Sequence, residues 1–282
     1  MQKASFIALI SLLLGVRLFS QDIHQWKTFA DEQAAAGNKA AALKAYQRVL
    51  FFDEHKQYND VYARLAELYF EEKDFDNALT YYDFAWKLAA GDSLRMEYSF
   101  LKTLCHLKAE RFYLGLAELY DLPDRLPPYF EAKRQLYLGI CHYGLEDHDE
   151  AKRYFSMLVD SSDQLQVDVL FTAFEKQRHK YDPDRLEIMS IFLPGLGQTV
   201  AGDPLAGINA LFLLGGIATY SYYTALSYSF LDGALVLVSW FYRYYTGSHK
   251  KAYQLGLEKQ AELREAYYLR LLGLIAGPEQ SD

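Results

Sequence analysis

Two cysteines in 282 residues are too few for a disulfide framework, and seven prolines too few for an extended or disordered chain. Positive charge is scarce as well. Lys and Arg number 29 against 37 Asp and Glu, a net charge of −8, whereas a nucleic-acid binder needs a basic face to displace counterions. The chemistry-bearing motifs are missing too: the chain has neither a Gly-x-Ser-x-Gly elbow nor a His-Glu-x-x-His. His142, His148 and the run Glu146 to Glu150 gather metal-type side chains, but that run reads as a solvated turn. Neither a metal nor another cofactor is expected, and a hydrolase built on these scattered acids and histidines is the weakest functional reading.

What the chain does contain is apolar and aromatic surface. Hydrophobic residues make up 51% and aromatics 16%, with 24 Tyr, a composition suited to packed helix pairs or to membrane-interface belts. The amino terminus reads as an export signal over residues 1–20. Lys3 precedes the apolar run Phe6 to Leu14, and Ser20 stands before a cleavage point at Gln21. Arg17 is unusual there and leaves a retained anchor open. No Cys lies near the cut to carry a lipid.

From Trp26 onward the chain repeats. Ala42, Ala78 and Ala151 are each followed four residues later by an aromatic, Tyr46, Tyr82 and Phe155. Upstream of the second and third stand Tyr62-x-x-Leu65-Ala66-x-x-Tyr69 and Gln135-x-x-Leu138-Gly139-x-x-His142. Small residues at Ala30, Ala66 and Gly139 let one helix of a pair approach the other, and the aromatics fill the remaining space. Gly37-Asn38 and Lys73-Asp74 fall where the turn within each pair belongs. This pattern over 21–160 resembles the tetratricopeptide repeat. Here the spacing is longer than usual, the closing prolines are missing, and a degenerate unit spans about Tyr98 to Leu119. Cys105 and Cys141 take near-equivalent places in neighbouring helices, as small buried residues or, in an exported chain, as a disulfide.

The resemblance implies an all-α, TPR-like helical-repeat solenoid with a concave binding surface, a protein or peptide partner, and no chemistry of its own. The groove positions it implies are Lys27, Asp31, Asp60, Glu67, Glu71, Lys133 and Tyr143. Their partly acidic character suits an extended or basic segment. Each of them reads equally well as a solvated helix face.

Beyond linker helices at 161–190 the character changes. Residues 191–246 open on Pro194-Gly195-Leu196-Gly197-Gln198, and no charge follows from Pro204 to Leu231. The loop lacks the Gly-Lys-Ser/Thr of a phosphate-binding loop. The uncharged run would reach about 42 Å as a helix, and about 20 residues suffice for one bilayer crossing. Gly233 to Tyr242 is a short return, bounded by Asp232 and Arg243, and fits a tilted second span, a re-entrant hairpin or a buried soluble helix. Tyr220, Tyr222, Tyr223, Tyr228 and Phe230 at one end, and Trp240 to Tyr245 at the other, read as interfacial belts. Gly207, Gly215 and Gly216 would let the two arms approach. The expectation is a hairpin in contact with membrane lipid over 205–245, entered through Pro194, Gly195, Gly197 and Gln198.

Ser190, Pro194, Gly195, Gly197 and Gln198, with Gly202 and Gly207, resemble a Ser-x-x-x-Pro-Gly-x-Gly-Gln segment of uncharacterised bacterial envelope proteins of the Bacteroidetes type. Thr199-Val200 departs from that pattern. A C-terminal amphipathic helix over 247–276 is expected to start at Gly247 and end at Gly277-Pro278. Its apolar face would be Tyr253, Leu257, Ala261, Tyr267, Leu271 and Leu274, packed on the solenoid or lying along the membrane surface. The export signal places the repeats in the periplasm at the inner membrane. Arg243, His249, Lys250 and Lys251 pull the other way, because basic flanks favour the cytoplasmic side. Two functional readings follow: a non-enzymatic, membrane-tethered scaffold, or a soluble periplasmic binding module whose apolar tail is buried in its own core or in an oligomer.

Overall fold

The computed structural model describes residues 23–276. The export signal at 1–20 and the Gly277-Pro278 stop lie outside the described residues. All regular structure among the described residues is helical. The chain forms two compact units, one reaching Tyr154 and one starting at Phe155.

The first unit is a helical-repeat array. Its pairs are α1 (Ile23–Ala35) with α2 (Lys39–Phe52), α3 (Asp60–Glu71) with α4 (Phe75–Leu88), and α5 (Asp92–Lys108) with α6 (Phe112–Tyr120). A fourth pair consists of α7 (Pro128–Gly144) and α8 (His148–Ser156), the unit boundary falling inside α8. The degenerate third unit is a full repeat. Ala42, Ala78, Gly115 and Ala151 recur at intervals of 36, 37 and 36 residues, as do Ala30, Ala66, Thr103 and Gly139. All eight are buried. Four residues after the first set come Tyr46, Tyr82, Leu119 and Phe155, also buried. Leucine replaces the aromatic in the third repeat, where Phe100 and Phe130 stack with ring centroids 5.8 Å apart to fill the space. Cys105 and Cys141 are both free and lie in different clusters, Cys105 with Ala78 and Tyr82, Cys141 with Phe100 and Leu138. Burial pushes each thiol up to about 12, and each packs as a small residue in its own cluster.

The turn inside each pair is the same device repeated. Gly37, Lys73, Glu110 and Glu146 hold φ of 77°, 62°, 56° and 62°. Each following residue donates its N–H to a carbonyl five back: Asn38 to Gln33, Asp74 to Tyr69, Arg111 to His106, and Asp147 to His142. This left-handed closure caps the last turn of the first helix. Three of the four positions carry a side chain where glycine would be unstrained. The left-handed state costs an L-residue about 1–2 kcal/mol, and glycine's extra unfolded-state freedom returns about 0.5–1 kcal/mol of that. Lys73→Gly, Glu110→Gly and Glu146→Gly are each expected to stabilise the array by about 0.5–1 kcal/mol, read as a higher urea midpoint. A lower midpoint would mean that the side chains hold contacts outweighing the strain.

The second unit contains α9 (Ser161–Lys180), α10 (Pro183–Phe192), the single turn α11 (Leu196–Val200) and α12 (Pro204–Ser227). Asp182 and Asp203 cap α10 and α12, accepting from the Arg185 and Ala206 amides, and proline follows each cap. After α12 the chain turns at Tyr228 into α13 (Phe230–Val236), a π-helical turn (Leu237–Phe241) and α14 (Tyr242–Ala276), which together form one unbroken helix.

Three expectations change here. Gly247 does not start the last helix, because Tyr242 already belongs to it and the return arm runs straight into it. The face that α14 buries is Ser248, Ala252, Gly256, Tyr267 and Leu271, while Leu257 is exposed. Small residues prevail because α10 approaches closely, with the Pro183 backbone against Gly256. Further along, Phe174 of α9 packs on Tyr267 at 5.3 Å. Finally, Gly215 and Gly216 face open space. The close approach between the hairpin arms is made by Gly233, whose carbonyl accepts from Ser221 Oγ at 2.6 Å.

Candidate functional site

Five of the seven expected groove residues meet in one cleft of about 460 Å3 between α1 and α3, namely Lys27, Asp31, Asp60, Glu67 and Glu71. Lys39, Tyr46 and Arg64 line it as well. The sequence carries no repeat signal for Arg64: with 36 residues between the first two repeats, the position equivalent to Lys27 is Ala63, and Arg64 corresponds to Thr28.

The charges in the cleft are spoken for. Lys27 Nζ sits 3.0 Å from Asp31 and 3.1 Å from Asp60. Lys39 meets Glu71 at 2.9 Å, and Arg64 meets Glu67 at 3.0 Å. The Tyr46 hydroxyl donates to the second Asp31 oxygen at 2.5 Å. Burial opposes ionisation of Asp31, but the Tyr46 and Lys27 hydrogen bonds outweigh it and hold the carboxyl below its ordinary value. Burial likewise opposes the Lys27 charge, and hydrogen bonds to Asp31 and Asp60 outweigh it and raise that ammonium. Exposed pairs of this kind contribute about 0–1 kcal/mol each. A partner carrying amides or charges can exchange them at little cost.

Two expected residues stand elsewhere. Lys133 joins α7 to α5, 2.6 Å from Glu97 and over the Phe100 ring at 5.0 Å. Tyr143 is 4% exposed and sits edge-on to His148, so it packs the fourth repeat and offers no groove contact. Its ring is taken up by His148 at the start of α8.

The Pro-Gly-x-Gly-Gln segment forms a buried knot inside the second unit. Gln198 is 1% exposed. Its amide donates to Ser248 O at 2.8 Å and Ser248 Oγ at 3.0 Å, and its carbonyl accepts from Ser190 Oγ at 2.9 Å. Gly197 N donates to the same Ser190 oxygen at 2.9 Å. Gly195 holds φ of 93° against the Gly207 backbone, which fixes the start of α12 on the loop. Tyr245 donates to the Ile191 carbonyl at 2.8 Å, and His249 meets Glu187 at 2.7 Å. The loop does lead into α12, yet Gly195, Gly197 and Gln198 face protein: they tie α10, α11, α12 and α14 together.

Residues 135–163, the fourth repeat and the start of α9, match the tetratricopeptide repeat family model. No curated protein and no solved structure matches the chain.

Proposed function

We propose that this chain is a non-enzymatic scaffold whose helical repeats hold an extended protein segment and whose hairpin tethers it to a membrane. Tetratricopeptide repeats are protein-interaction modules, and the α1–α3 cleft is the continuous polar surface on which such a segment would lie. The tether rests on one observation. Pro204–Ser227 is long and apolar enough to cross a bilayer, and only 17% of its most apolar stretch is buried. Phe212, at 76% exposed, makes the point locally. A tail packed in the chain's own core would hide these side chains.

The return arm limits the depth. Phe230 to Tyr242 measures about 20 Å as helix, against about 30 Å of hydrocarbon. A hairpin dipping into the bilayer therefore fits better than a full double crossing. Because α14 continues the return arm, it leaves the membrane at the hairpin's own angle and does not lie flat on the surface. The export signal is the basis for a periplasmic placement of the repeats at a bacterial inner membrane.

The groove is tested with Glu67→Gln and Glu71→Gln together, which remove charge without setting a new cation beside Arg64 or Lys39. Photo-crosslinking from the cleft should capture a partner in the parent chain, weaken about tenfold in the double variant, and weaken further with salt. Unchanged capture, or capture only from α2 and α4 positions outside the cleft such as Phe51 and Phe84, would move the binding surface elsewhere.

A further inference from the structure

A second cleft, of about 640 Å3, opens between α12 and α14. Its walls are apolar on one side, with Leu205 and Leu213, and basic on the other, with Arg243 and Lys251. Arg243 has no carboxylate partner among the described residues, and Lys251 reaches Asp203 only at 3.7 Å. Asn209, the single amide side chain on α12, also lines the cleft, and Gly247 leaves its wall open. Asp203 lines the cleft as well, so two cations face one acid at the base of an exposed apolar helix, in a chain of net charge −8. The Gln198–Ser248 knot forms its floor and fixes the two walls.

We propose that this cleft binds the headgroup of an anionic phospholipid. The phosphate would lie between the Arg243 guanidinium and the Lys251 ammonium, within reach of the Asn209 amide. The acyl chains would follow the exposed Phe212, Leu213 and, further in, Tyr220 along α12 towards the hairpin turn. Basic pockets between membrane helices recognise anionic headgroups through paired cations, and arginine grips phosphate in a two-point geometry. Depth agrees as well. Arg243 stands at the end of the apolar return arm, where a dipping hairpin meets the headgroup layer. A free phosphate would use the cations and leave the adjoining apolar surface empty. The inference rests on the membrane tether proposed above, and the two can fail separately.

The test is flotation of the full-length chain, diluted from mild detergent, with vesicles of phosphatidylcholine alone or with phosphatidylglycerol added. Flotation on the neutral vesicles reads the tether. The preference for the anionic vesicles reads the cleft, and should be roughly 30-fold, the equivalent of two basic contacts. Arg243→Gln with Lys251→Gln should abolish that preference and leave neutral flotation intact. Arg243→Lys with Lys251→Arg should retain it. Lys176→Gln with Lys180→Gln removes the same charge from α9 and should change nothing. No anionic preference, a preference surviving the cleft pair, or one lost equally in the α9 pair would overturn the site while the tether stands. Flotation on anionic vesicles only, lost in the cleft pair, supports the site and overturns the tether. Absence from both vesicle types overturns both. Inorganic phosphate raising the melting temperature in detergent as much as phosphatidylglycerol would make this a free-anion site and overturn the lipid assignment.

Discussion

Replacing Gly197 with alanine is expected to unfold the second unit at temperatures where the parent chain is intact, a loss of at least about 3 kcal/mol. A Cβ there would collide with the Leu186 carbonyl oxygen and lie 2.8 Å from Ala252 Cβ. Neither neighbour is the flexible end of a side chain, so backbone of α10 and α14 would have to move. The same displacement would break the hydrogen bonds from Gly197 N to Ser190 and from Gln198 to Ser248, stranding polar groups in the interior. Gly215→Ala is the matched control. It lies in the helical interior of α12 facing open space, and should stabilise by about 0.5–1 kcal/mol. Thermal melts of both variants in mild detergent decide the matter. A Gly197→Ala chain as stable as the parent would mean that the knot is not the tie between these helices.

Tyr220→Arg should drive the equilibrium away from membrane association on the order of 100-fold, since a charge at mid-span costs about 2.5–3.5 kcal/mol. The position is chosen because it lies midway between Leu213, beside Arg243, and the turn at Tyr228, and its side chain is so exposed that losing it removes little packing. Fractionation after an alkaline wash is the measurement. The parent should stay with membranes and the variant should be released. If both are released as an oligomer, α12 is covered by other copies of the chain. If both stay, this face of α12 does not meet lipid.

Much of the repeat array was legible because helix–helix contact imposes size on particular positions. Ala30, Ala42, Ala66 and Ala78 show it plainly. The third repeat was obscured because the contact accepts Thr103 and Gly115 as readily as alanine, and because Leu119 has no ring to mark it. In the groove, the acids were easier to find than their partners. Asp31 and Glu71 stand out on their helices, whereas Lys39 reaches in from the start of α2. Tyr143 misled because a tyrosine in a repeat is apolar enough to be buried and polar enough to look solvated. The Pro-Gly-x-Gly-Gln segment was read as a point of entry because glycine and proline announce a turn. What makes those glycines necessary is set by Leu186, Gly207 and Ala252, up to 55 positions away in the chain, and local spacing carries no trace of it.

The unbroken helix from Phe230 to Ala276 is, mechanically, a crankshaft about 70 Å long. Its two ends share one rotational coordinate. Any roll of the hairpin turns Ser248 under the knot and Tyr267 under Phe174 through the same angle, so α10 and α9 must follow or let go. A load drawn on the distal end is passed to the hairpin as torque, not absorbed in a loop. The wide turn at Leu237–Phe241 sits just above the bearing made by Tyr245 and Ile191, where a shaft would be given its play.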